Sequence, residues 1–130
     1  MQSVCVATTV RVGNHALTAE EVAAGQPQRL PFVERVDGVN VPVDPDEVRL
    51  RITAKGGPTY SFRYPTAGPT DNGVLATEET GRFYVDWTPD YAEYGLWQWF
   101  LEGGMTLGTR QTDQDAFFVR VPPDPVLAAA

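Results

Sequence analysis

The stretch GRFYVDWTPDYAEYGLWQWFLEGG, Gly81 to Gly104, decides how this chain is read. It holds all three tryptophans, three of the five tyrosines and two of the six phenylalanines. Aromatic mass at this density lines a ligand site, coats a sticky surface or fills a core, and the period of the pattern separates these cases. In RFYVDW, Phe83, Val85 and Trp87 share one phase of a two-residue repeat. In LWQWFL, Trp97, Trp99 and Leu101 do the same. Successive strand residues point to opposite faces, so these six are most simply the inward sides of two core strands. The other phase leaves Tyr84, Leu96 and Phe100 pointing outward. On adjacent strands they are expected to form one exposed apolar patch, extended by Tyr91 and Tyr94 from the connecting TPDYAEYG. Patches of that kind mark partner surfaces.

The same period runs outward from this segment. EVRLRITA sends Val48, Leu50 and Ile52 to one face and Arg49, Arg51 and Thr53 to the other. TYSFRY places Tyr60, Phe62 and Tyr64 together. RLPFVERV reads as a strand whose Pro31 suits an edge. VLATEE reads as a short strand, and DAFFVRV as the one that closes the sheet. KGGP, PTAGPTDNG and EGGMTLG are turn chemistry. VDGVNVPVDPDE is a connection in which Asp37-Gly38 is a good turn pair. Residues 29–121 therefore carry roughly seven short strands with turn signals about every eight to twelve residues, which predicts an all-β, immunoglobulin-like β-sandwich. Its core is expected to hold Leu50, Ile52, Phe62, Phe83, Val85, Trp87, Trp97, Trp99 and Leu101.

Residues 1–28 read as an extended N-terminal arm. Val4, Val6, Val10 and Val12 have even spacing in SVCVATTVRV, as in a strand. Thr18 and Glu21 form a capping-box pattern, with Gly25 and Pro27 as a stop, so one short helix is expected over about residues 19–24. A helix that short must dock on something to persist. Residues 122–130, PPDPVLAAA, form a tail that its prolines bar from a central strand. The arm, through its valines, and the tail are the expected contacts with neighbouring proteins.

Composition excludes several functions. A length of 130 residues suits one domain, and a formal charge of −7 opposes nucleic-acid binding and anionic membrane surfaces. A single cysteine allows no internal disulfide, which favours folding in a reducing cytoplasm. MQSVCVATTVRVGN lacks the basic and apolar regions of a secretion signal, and no run of apolar residues is long enough to span a membrane.

Residues with catalytic potential are few and scattered. His15 is the only histidine and has no constellation around it in sequence, so a surface or packing role is expected. Cys5 lacks a base and reads as a small apolar side chain. Asp44-Pro45-Asp46-Glu47 and Asp113-Gln114-Asp115 are read as turn and loop chemistry before calcium ligands. Phosphate-loop, nucleophile-elbow and zinc spacings do not occur. The expectation is a protein that is not an enzyme and uses no cofactor or metal.

The order VDPDEVRLRITAKGGPTYSFRYP, EETGRFYVDWT, YGLWQWFLEGG and DAFFVRV resembles small immunoglobulin-like structural proteins of tailed bacteriophages, especially those of actinobacterial hosts. The pattern has Pro-Val-Asp-Pro leading into a strand, matched by Pro42, Val43, Asp44 and Pro45. It has a Thr-Gly-x-Tyr-like strand start, matched by Thr80, Gly81 and Phe83 or Tyr84. It has a Gly-x-Trp-x-aromatic strand ending in Glu-Gly, matched by Gly95, Trp97, Trp99, Glu102 and Gly103. The resemblance covers about residues 28–121. It implies a non-enzymatic virion component, made in the host cytoplasm and bound in multiple copies to major capsid, connector or tail proteins. A head decoration, cement or head–tail junction subunit is the first expectation. A tail tube, tip or baseplate protein is the second, and a carbohydrate-binding or host-adhesion module the third.

Overall fold

A computed structural model describes residues 9–14, 29–54, 57–88, 95–105 and 110–119. The short-helix prediction, Val4, Val6, Cys5, His15, Tyr91, Tyr94 and the Pro-rich tail lie outside those residues. The described chain is all-β, with no helix and hence none long and apolar enough to cross a membrane.

The described residues form ten strands in chain order: β1 Val10–Gly13, β2 Val33–Val36, β3 Val39–Pro42, β4 Glu47–Ala54, β5 Thr59–Tyr64, β6 Gly73–Val74, β7 Ala76–Glu79, β8 Arg82–Trp87, β9 Gly95–Gly104 and β10 Arg110–Val119. A five-stranded sheet has the order β10-β9-β4-β5-β6, and a three-stranded sheet has the order β1-β8-β7. β2 and β3 pair only with each other. Every pairing is antiparallel except β5 with β6.

Alternation places the core. β4 buries Val48, Leu50, Ile52 and Ala54, and β9 buries Trp97, Trp99 and Leu101. Register sets these side by side, with Leu50 opposite Leu101, Ile52 opposite Trp99 and Ala54 opposite Trp97. From the other sheet, β8 supplies Phe83 and Trp87, with Val85 half-buried against the same cluster. The sheets meet through aromatic rings. Trp87 and Trp97 lie 4.4 Å apart edge to face, and Tyr64 and Phe83 lie 4.6 Å apart. Truncating a buried aromatic of this kind to alanine costs about 3–5 kcal/mol.

Three features differ from the sequence expectation. Val10 and Val12 are not presented by a free arm. They are fully buried on β1, which pairs with β8 at Trp87 through Tyr84, so they belong to this chain's own core. Second, the connection after Asp37-Gly38 is itself a strand. Asp37 and Gly38 have φ of 49° and 80°, the doubly positive pattern of a tight hairpin turn, and they fold β3 back on β2. Third, the single strand over VLATEE is split. β6 belongs to the five-stranded sheet and β7 to the three-stranded one, with buried Leu75 at the crossing. Over residues 29–119 the described strands therefore number nine, against about seven expected.

The β2–β3 hairpin stands outside both sheets, yet its root is tightly held. Phe32 N–H donates to Gly81 O (2.9 Å), and Val43 N–H donates to Phe32 O (2.9 Å). Gly81 N–H donates to Asp44 Oδ1 at 2.8 Å. The Gln111 amide clamps both backbone groups of Val33. The Phe32 ring lies against Gly103, where an added Cβ would sit 2.7 Å from Cε1. At Gly81, φ is +79° and a Cβ would meet Phe32 O at 2.7 Å and Val43 O at 2.9 Å.

These geometries separate two glycine costs. Gly81→Ala meets both a disfavoured φ and backbone contact, whereas at Gly38 φ is +80° with open space around the Cβ. Urea unfolding should show Gly81→Ala losing about 3 kcal/mol or more and Gly38→Ala only about 1–2 kcal/mol. Equal losses would mean that contact at the hairpin root adds nothing.

Candidate functional site

The outward aromatic residues do not form one patch. Tyr84 is on β8 and Leu96 and Phe100 are on β9, and these strands lie in different sheets. Both strands turn their core phase toward each other, so their other phases face opposite sides of the molecule. Sequence period assigns a face within a strand but not the sheet to which the strand belongs.

Each outer face has its own character. On the three-stranded sheet, Arg11 covers Tyr84, its guanidinium carbon 3.9 Å from the ring centroid. Arg11 is held there by Asp86 (3.0 Å) and Glu78 (3.2 Å). The hydrogen bond to Asp86, aided by the neighbouring negative charges, raises the Arg11 pKa above its ordinary value. Tyr84 is thus a packed platform and not an open contact.

The five-stranded sheet is more open. Its outer side carries Arg49, Arg51 and Thr53 from β4, and Leu96, Gln98 and Phe100 from β9. Cross-strand register aligns Gln114, Phe100, Arg51 and Ser61 in one row across four strands. The next row holds Ala116, Gln98, Thr53 and Thr59, with the two threonine hydroxyls 3.1 Å apart. Between these rows lies an open groove of about 590 Å³. Arg51 is exposed, with its guanidinium carbon 5.3 Å from the centroid of half-buried Phe100. Leu96, at 38% exposure, lies further along β9.

Ion pairing sorts the cations of this face. Arg63 is bound to Asp71 at 3.0 Å and to Glu47 at 3.3 Å. Arg110 reaches Glu102 at 3.5 Å. Among the described residues, Arg49 and Arg51 form no ion pair.

Asp71 organises the edge of this sheet. Its side chain is 2% exposed and accepts hydrogen bonds from the Ser61 hydroxyl, from Gly68 N–H (2.6 Å) and from Arg63 Nε (3.0 Å). The Ser61 bond, then the Gly68 amide and Arg63, hold its carboxyl below the usual range. Within PTAGPTDNG the Gly, Pro, Asn and Asp residues signal a loop, and nothing local singles out Asp71.

Both Asp-x-Asp pairs take structural roles. Asp44 anchors Gly81. Asp113 and Asp115 flank Arg29, which contacts both. They also accept from the N–H groups of Gln114 and Ala116 at 2.9 and 2.7 Å, occupying donors of the edge strand β10. Blocking edge donors in this way discourages unwanted strand pairing. Among the described residues no group of three or more His, Cys, Asp or Glu is placed to hold a metal ion.

No protein-family model matches this chain, and no curated protein or solved structure matches it. The geometry therefore carries the functional reading.

Asp71 generates a pH prediction. A carboxyl whose pKa is lowered by folding stabilises the fold above its unfolded pKa, and that contribution is lost as pH falls through the folded value. Asp71→Asn should therefore be less stable than the parent chain from neutral pH down to about pH 5. The difference should shrink as pH falls below the ordinary value of 3.8. Thermal melts across this range check it; a gap that widens toward low pH would contradict the assignment.

Proposed function

We propose that this chain is an immunoglobulin-like structural subunit of a tailed-bacteriophage virion. It is not an enzyme, and it attaches to the head as a decoration or cement subunit or at the head–tail junction. The supporting observation is the strand order. β1-β8-β7 against β10-β9-β4-β5 corresponds to strands B-E-D against G-F-C-C′ of immunoglobulin-like sandwiches. The motifs behind the phage resemblance also meet in space. Asp44 of the Pro-Val-Asp-Pro stretch binds Gly81 of the Thr-Gly turn, and Phe32 packs on Gly103 of the Glu-Gly end. They encode one corner of the fold and the hairpin it supports.

That hairpin suits assembly. Register puts Val36, Val39 and Val41 on one face, at 48%, 61% and 37% exposure, and Leu30 near its base is 81% exposed. A two-stranded hairpin gains little stability in water by itself. One held rigidly at its root with valines outward is a ready contact for a neighbouring subunit. The chain's charge of −7 directs it toward protein partners and away from packaged nucleic acid.

Mass spectrometry of purified virions should detect this polypeptide, and its absence would overturn the proposal. Replacing Val36, Val39 and Val41 together with threonine should lower incorporation about tenfold while changing stability by no more than about 0.5 kcal/mol per site. Truncations that test the N-terminal arm must stop before Val10, because β1 is part of the core.

A further inference from the structure

Seventeen acidic residues against ten basic ones leave no shortage of carboxylates in this chain. Arg11, Arg29, Arg63, Arg82 and Arg110 each have one. Arg49 and Arg51 do not, among the described residues. Arg35 on the projecting hairpin is also without one, but only Arg49 and Arg51 share a strand and a face. They stand at successive outward positions of β4, an interior strand of the five-stranded sheet, about 7 Å apart along the chain. Unpaired cations in the middle of a sheet face, on a protein with excess negative charge, mark a place where a partner supplies the anion.

We propose that this face docks an acidic peptide segment of a partner protein, with carboxylates on Arg51 and Arg49 and an apolar side chain beside Phe100. The Arg51 guanidinium carbon lies 5.3 Å from the Phe100 ring centroid, within cation–π range, and Arg51 is exposed, so its N–H groups are open to a ligand. A guanidinium held in this way binds a carboxylate through two parallel N–H groups. Exposed Gln98 and Gln114 flank the ring and offer amide donors and acceptors to a peptide backbone. The groove of about 590 Å³ is the size of a small-ligand site and holds a short segment.

The net charge of −7 selects among anionic partners. A polyanion such as single-stranded nucleic acid meets the repulsion of the whole molecule. A second copy of the chain brings the same charge and the same repulsion. A short acidic segment interacts mainly within a Debye length, about 8 Å at physiological salt. Within that range Glu102, opposite Arg49, is held by Arg110 and Asp115 by Arg29, so Arg49 and Arg51 supply the unneutralised charge. This inference does not rest on the virion reading, since the surface is defined by the isolated chain.

The test is fluorescence anisotropy with the full chain and a labelled peptide of sequence Glu-Leu-Glu-Phe-Glu, beside its Gln-Leu-Gln-Phe-Gln counterpart. Saturable binding of the acidic peptide is expected, about tenfold or more tighter than the amide peptide and weakening as salt is raised. Arg51→Gln and Arg49→Gln should each weaken it by about three- to tenfold, with unchanged far-UV spectra and melting temperature. Arg35→Gln removes the same charge from the exposed hairpin, away from this face, and should have little effect. Equal affinity for the two peptides, absence of saturable binding, or equal losses in Arg35→Gln and Arg51→Gln would each overturn the proposal. So would tighter binding of a single-stranded oligonucleotide or of a neutral oligosaccharide. Failure here leaves virion incorporation untouched, and absence from virions leaves this binding untouched.

Discussion

The contact between Trp87 and Trp97 organises the rest of the structure. One ring comes from the three-stranded sheet and the other from the five-stranded sheet, with centroids 4.4 Å apart. Tyr60 and Phe117 pack on the same pair. Because both tryptophans sit on strands, fixing their rings together fixes which side of each strand is interior. Everything on the alternate phase is then committed to one of two faces that look away from each other. Arg11 on Tyr84 belongs to one of these faces and Arg51 near Phe100 to the other.

A second constraint acts at the corner where Phe32 enters. Its backbone bonds to Gly81 and Val43, and its ring lies against Gly103. Two glycines are needed because two strands and a side chain converge where no Cβ fits. The corner lets the β2–β3 hairpin leave the body at a defined angle while its apolar face stays exposed. Stability and presentation of a contact surface thus depend on the same few residues.

Charge is distributed with comparable economy. Most described arginines hold the molecule's own carboxylates: Arg29 lies beside Asp113 and Asp115, Arg63 on Asp71, and Arg11 between Asp86 and Glu78. These pairs sit at sheet edges and strand ends. The exposed pairs, such as Arg11 with Glu78, contribute little stability individually; the buried Asp71 carboxylate ties its loop to β5, and Asp113 and Asp115 also accept from edge N–H groups. Of the described arginines left over, Arg35 lies on the hairpin, and Arg49 and Arg51 lie on the open face of the larger sheet, where positive charge stands out against an acidic background.

Much of the architecture was legible in the sequence because period-two alternation is a local property. The phases of RFYVDW, LWQWFL and EVRLRITA, and the turn at Asp37-Gly38, follow from residue type and backbone sterics alone. Other features are products of distant pairing. VNVP looks like a connection because a four-residue strand ending in proline carries almost no pattern, and only its register against VERV makes it a strand. Val10 and Val12 look like a free arm until β8 is beside them. The burial of Asp71, in the loop after β5, depends on that loop folding back onto Ser61 and Arg63 of the strand. The sequence by itself determined the all-β character of the described residues and the inward side of their longest strands. Tertiary structure alone decided which sheet each strand joined. It therefore also decided that Tyr84 and Phe100 lie on opposite faces and that Arg49 and Arg51 stand without carboxylates, because contacts between residues far apart in the chain are set by packing and not by spacing.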